Sequence, residues 1–105
     1  MIIPRYRVLF HLDEGGTLRL KLTLSNIHSL LNDLDDRELL VECVVNGVGV
    51  KLFQRSAETE RETIEILTER GIQFVLCENS LVLFELSKKD MSSAVGFVSS
   101  GGVNW

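Results

Sequence analysis

Two cysteines and two histidines carry most of the chemistry open to this 105-residue chain: Cys43, Cys77, His11 and His28. A thiolate is a nucleophile and a thiol is not, so the surroundings of each cysteine decide what it can do. Cys77 closes the run Gly71-Ile72-Gln73-Phe74-Val75-Leu76-Cys77 and precedes Glu78-Asn79-Ser80. The pattern reads as a helix end at Gly71, a strand over residues 72–76, and a short helix beginning near Asn79 or Ser80, either of which can cap it. Cys77 is thus expected between the carboxyl end of a strand and the amino end of a helix, where the thiolate is favoured. A helix end contributes about 0.3–1 kcal/mol, which is less than about one pKa unit. Cys43, among Val41, Val44 and Val45, reads as an inert core thiol. His11 ends the first apolar run and is a candidate base for Cys77. His28 follows Ile27 and turns to the surface.

These residues need a scaffold, and the chain supplies one in alternating segments. Tyr6–Leu12 reads as a strand. Leu20, Leu24, Ile27, Leu31 and Leu34, spaced by four and three, predict a helix over residues 18–34, with Asp13 or Thr17 as cap and a polar turn at residues 33–36. Residues 38–45 form a second strand closed by Asn46-Gly47-Val48-Gly49, and Val50-Lys51-Leu52-Phe53 suits one helical turn. A second helix is expected over residues 56–70, capped by Ser56, with Glu58, Glu60 and Glu62 at its positive end and Arg70 at its negative end. Ser87 and Asp90 have capping-box spacing, and residues 94–99 read as a fourth strand. Strands alternating with helices predict an α/β fold, a three-layer α/β/α domain with a mainly parallel sheet of four or five strands and helices on both faces. The carboxyl edge of that sheet would gather His11 and Asp13, Asn46 and Gly47, Cys77 to Asn79, and Ser99 to Gly102. Ligands of open α/β sheets bind at that edge.

Composition narrows the function classes. At 45% hydrophobic and 25% charged residues the chain is an ordinary globular domain, and its length suits one domain spanning residues 1–105. A net charge of −4 argues against a nucleic-acid surface. Charges interrupt every apolar run, so no membrane partner is expected, and the start lacks a signal-peptide layout. A cytoplasmic location follows, with both cysteines reduced. No CxxC or HExxH spacing supports a metal, and no cofactor is implied. Asn46-Gly47-Val48-Gly49 contains GxG, but Leu52 stands where a third glycine belongs. Ser99-Ser100-Gly101-Gly102 has nest-like composition but reads as a tail. The acidic stretch 58–65 reads as a solvated helix face.

Four segments together resemble the DsrE/DsrF-like family, which includes the sulfur-relay TusD-type proteins. They are residues 7–13 (RVLFHLD), 44–52 (VVNGVGVKL), 71–81 (GIQFVLCENSL) and 97–103 (FVSSGGV). The resemblance implies a small α/β/α domain assembling into homo-oligomers, often trimers or hexamers. It further implies that Cys77 carries sulfur as a persulfide and exchanges it with a donor or acceptor protein, as a sulfurtransferase would. His11 and Asn46 match recurrent positions, without a catalytic role carried over. Members continue past the fourth strand into a further helix and a short final segment, whereas this chain stops at Trp105. In the sulfur-carrier reading, Gly47 leaves room for a partner's cysteine, and the backbone N–H groups of Glu78, Asn79 and Ser80 stabilise the sulfur anion. The competing reading is a non-catalytic oligomeric module that binds a small ligand at the same edge. Thiol reactivity separates the two.

Overall fold

The computed structural model describes residues 6–34 and 39–99. Chain order is β1 (Tyr6–Leu12), α1 (Thr17–Asp33), β2 (Leu39–Val45), a 3-10 segment (Gly47–Phe53), α2 (Arg61–Glu69), β3 (Gln73–Cys77), α3 (Glu78–Leu83), a single 3-10 turn (Lys88–Asp90) and β4 (Val95–Val98). The four strands form one sheet in the order β1-β2-β3-β4, and every pairing is parallel. This is the expected α/β class, consistent with the three-layer α/β/α architecture.

Side chains alternate across a strand, so each strand divides its residues between two faces. One face carries Leu39, Val41, Cys43 and Val45 of β2 and Phe74 and Leu76 of β3, all buried in a single core. Leu20, Leu24, Ile27 and Leu31 of α1, Ile64 and Leu67 of α2 and Leu81 of α3 join the same core. The opposite face carries His11 of β1, Val44 of β2, and Val75 and Cys77 of β3. Val44 is 1% exposed yet stands outside the main core, as does Cys77.

Several element ends differ from expectation. α1 starts at Thr17 after Gly16, and no side chain caps it. Glu38, Asp35 and Asp36, and Ser100 to Gly102, lie outside the described residues. α2 begins five residues later than expected, at Arg61, because residues 54–60 turn instead. Ala57 N–H donates to Gln54 O and Arg61 N–H to Glu58 O, while the Arg61 guanidinium takes the carbonyls of Arg55 and Ala57. Ser56, Glu58 and Glu60 therefore precede the helix, and only Glu62 stands in its first turn. At its other end the expectation at Gly71 holds. Gly71 has φ +97°, its N–H donates to Thr68 O at 3.0 Å, and Ile72 N–H donates to Leu67 O at 3.1 Å. These are the paired bonds of a Schellman stop, which drop the chain directly into β3. The Ser87–Asp90 capping box is also formed, but it closes a single 3-10 turn.

Cys43 is fully buried, and that burial pushes its thiol from 9.0 up to about 12. The folded state then holds a proton that the unfolded chain releases above pH 9. The stability this contributes is complete below pH 9 and is lost as pH rises toward 12, with a slope approaching about 1.4 kcal/mol per pH unit. Urea midpoints measured at pH 8 and pH 10 should fall more in the parent than in Cys43→Ala. Equal falls would remove Cys43 as the cause.

Candidate functional site

Cys77 ends β3 and is itself the N-cap of α3, with φ −73° and ψ 119°. Asn79 and Ser80 are the expected caps; both instead lie inside the helix, whose cap stands two residues before Asn79 and three before Ser80. Glu78, Asn79 and Ser80 are its first three residues, and the N–H groups of a first turn point out of the helix end. With only six residues, α3 carries a small dipole, so close contacts matter more here than the macrodipole.

The strand register places the neighbours of Cys77. Val45 pairs with Leu76, so Asn46 follows onto the position facing Cys77, while Val98 of β4 pairs with Cys77 from the other side. Asn46 N–H donates to Leu12 O at 3.0 Å and extends the β1–β2 ladder by one bond. Gly47 then turns with φ +56°, and its N–H donates to the Ser80 hydroxyl at 2.8 Å. This bond ties the loop after β2 to the first turn of α3. Ser80 is buried and Gly47 half-buried, so the bond is partly shielded from water.

Gly49 makes the loop possible. A Cβ at this position would stand 2.9 Å from Leu12 O and 3.3 Å from Glu14 O, both backbone atoms. Gly49→Ala should therefore cost about 1–3 kcal/mol through overpacking. Its urea midpoint is the measurement, and an unchanged midpoint would show that the loop yields.

His11 and Cys77 lie on the same face but are not brought together. They stand two strands apart and two residues out of step, which sets their Cα atoms roughly 12 Å apart at ordinary sheet spacings. His11 Nε2 lies 2.9 Å from Asn46 Oδ1, which requires the ring to donate from Nε2. A general base must come within about 2.6–3.2 Å of the proton it takes, or act through one water. His11 instead braces Asn46, beside the loop that faces Cys77. His28 is an exposed residue of α1, with Nδ1 3.4 Å from Asn32 Nδ2.

Electrostatics add a residue that the sequence reading missed. The Glu78 carboxylate, adjacent to Cys77, is met by Lys88 Nζ at 2.6 Å. Lys88 also sits 5.2 Å from the centroid of the Phe97 ring on β4. The pair offsets a negative charge that would otherwise oppose a thiolate or persulfide anion next to it. Ten residues separate Glu78 from Lys88, and no local spacing signals their meeting. Cys77 is 5% exposed, so bulky reagents reach it poorly. Among the described residues no group of three or more His, Cys, Asp or Glu side chains could hold a metal, and no helix is long and apolar enough to cross a membrane.

The same fold occurs in MTH1491 from Methanobacterium thermoautotrophicum, a protein of unknown function. The match has a TM-score of 0.85 and 34% identity over 91% of this chain and 84% of that one. This chain belongs to the MTH1491 family. The ychN protein of E. coli shares the fold of the MTH1491 family at a TM-score of 0.72, with 15% identity over 91% of this chain and 85% of its own. No family model and no curated protein matches the chain.

Proposed function

We propose that this protein is a DsrE-like sulfur carrier of the cytoplasm, with Cys77 as the residue that accepts and releases sulfur. The observation that carries the reading is the position of Cys77. It lies at the carboxyl end of an inner strand, at the N-cap of a helix, facing the Asn46-Gly47 loop. The fold shared with the ychN protein supports a DsrE-like assignment. In the transfer, the Cys77 thiolate attacks the outer sulfur of a donor persulfide. A new S–S bond forms on Cys77, the donor S–S bond breaks, and the donor leaves as its thiolate. An acceptor thiolate then attacks that outer sulfur, and Cys77 leaves as thiolate. One sulfur atom moves with no net oxidation or reduction.

The residues around Cys77 have distinct tasks in this scheme. Glu78, Asn79 and Ser80 present N–H groups at the helix end, Gly47 leaves the approach free of a side chain, and Lys88 offsets Glu78. The proposal includes a homo-oligomer, a trimer or hexamer, supported by apolar side chains left in the open at Leu18, Val82 and Leu83. The close burial of Cys77 favours a second reading, a non-catalytic oligomeric module in which Cys77 is one wall of a small-ligand pocket. The intact mass of freshly purified protein, with and without reductant, tests the first reading. A reductant-sensitive gain of one sulfur atom is expected. A thiol that stays unmodified in the presence of a persulfide donor leaves the binding module.

A further inference from the structure

We infer that Arg55, Arg61, Ser92 and Ser93 form a binding site for a phosphate-type oxyanion, separate from Cys77 and independent of the sulfur reading. These residues, with Glu65, line a cleft of about 160 Å³. Both arginines are anchored by backbone. Arg55 Nε donates to Lys89 O at 2.7 Å, and Arg61 Nη2 donates to Arg55 O and to Ala57 O. Neither forms an ion pair among the described residues, although Glu65 stands four residues after Arg61, where a helical pair is expected. Anchoring leaves both Nη groups of Arg55 and the Nη1 of Arg61 with donors to spare and little rotamer freedom to lose. That combination recognises a planar or tetrahedral oxyanion through charge-assisted hydrogen bonds.

The serines complete the donor set. Ser92 Oγ accepts from Ala94 N–H at 3.1 Å, which leaves its own proton to donate, and the exposed Ser93 adds a second hydroxyl. An antiparallel bridge between Gln54 and Met91 holds the two loops in register, with Ser92 N–H donating to Phe53 O at 2.8 Å. The adjoining recess that shares Arg61 and Ser92 has room for about 20 Å³, so an ester group on the ligand would remain in solvent. The carboxylate of Glu65 is the one opposing charge in the lining, and it reduces the net charge there to +1.

The test is titration with inorganic phosphate at low ionic strength, read by backbone amide shifts, with glycerol phosphate as a second arm. Saturable shifts of residues 55, 61, 92 and 93 are expected, with millimolar affinity that weakens as sodium chloride is added. Similar affinity for both probes supports recognition of the oxyanion alone, and tighter binding of the ester supports a phosphorylated small molecule. Arg55→Gln should weaken binding about tenfold, and Glu65→Gln, on an exposed helix face, should tighten it about threefold. Glu65→Gln keeps every anchoring bond of the arginines, so its effect does not depend on refolding around a lost side chain. Shifts that fail to saturate, that centre on other residues, or that are unchanged in both variants would overturn the site.

Discussion

After incubation with a persulfide donor, a reducible sulfur adduct is expected on the peptide that contains Cys77 and on no other. Cys77→Ser should lose the adduct entirely, and Cys43→Ser should behave like the parent. The two thiols differ in what folding does to them. Cys43 points into the main core, and with its pKa pushed to about 12 its thiolate at pH 8 is on the order of one part in ten thousand. Cys77 points to the other face, at a strand end, next to a loop with no side chain at Gly47. Its 5% exposure limits the rate at which a reagent arrives, so small donors should react before bulky ones. Hydrosulfide-derived polysulfide is therefore the better probe, and iodoacetamide should label Cys77 before Cys43. Sulfur found on Cys43, or none on Cys77 after alkylation has proved it accessible, would end the carrier reading.

The part of this site that was legible in the sequence is the part set by local rules. Gly71 announced its left-handed stop, the apolar run from Ile72 announced an inner strand, and together they put Cys77 at a strand end. α1 was equally plain from the spacing of Leu20, Leu24, Ile27 and Leu31. What failed to show was set by side chains meeting across the fold. Residue type alone makes Ser80 a helix cap, yet its hydroxyl serves Gly47, thirty-three residues earlier. Ser56, Glu58 and Glu60 mimic the beginning of α2, while the Arg61 side chain takes the carbonyls of Arg55 and Ala57 and the helix starts only at Arg61. Alternation puts His11 near the carboxyl edge, but its distance from Cys77 depends on register and strand order, which alternation alone does not give.

Phe53→Ala should destabilise the fold by about 3–5 kcal/mol, the usual cost of emptying a core aromatic site. Phe53 is 2% exposed and ends the 3-10 segment that leads away from the Gly47 loop. Its ring lies 5.6 Å from that of Phe74 on β3, tilted by 40°, a geometry that adds about 0.5–1.5 kcal/mol beyond burial. Domains of this kind have about 5–15 kcal/mol in total, so the loss is a large share of the whole. The pair also has a local consequence. Phe74 lies three residues before Cys77, and Phe53 lies six residues after Gly47, so their contact clamps the loop and the strand that bears the thiol. Loosening it should raise the alkylation rate of Cys77 even where the protein remains folded. Phe53→Leu keeps most of the volume and should cost less than about 1.5 kcal/mol, which provides a folded variant for that rate measurement. Ser25→Ala, on the exposed face of α1, is the control and should stay within about 0.5 kcal/mol of the parent. Urea unfolding gives the stabilities, and iodoacetamide kinetics under native conditions give the rates. If Phe53→Ala costs no more than Ser25→Ala, or if Phe53→Leu leaves the Cys77 rate unchanged, the clamp does not hold the site.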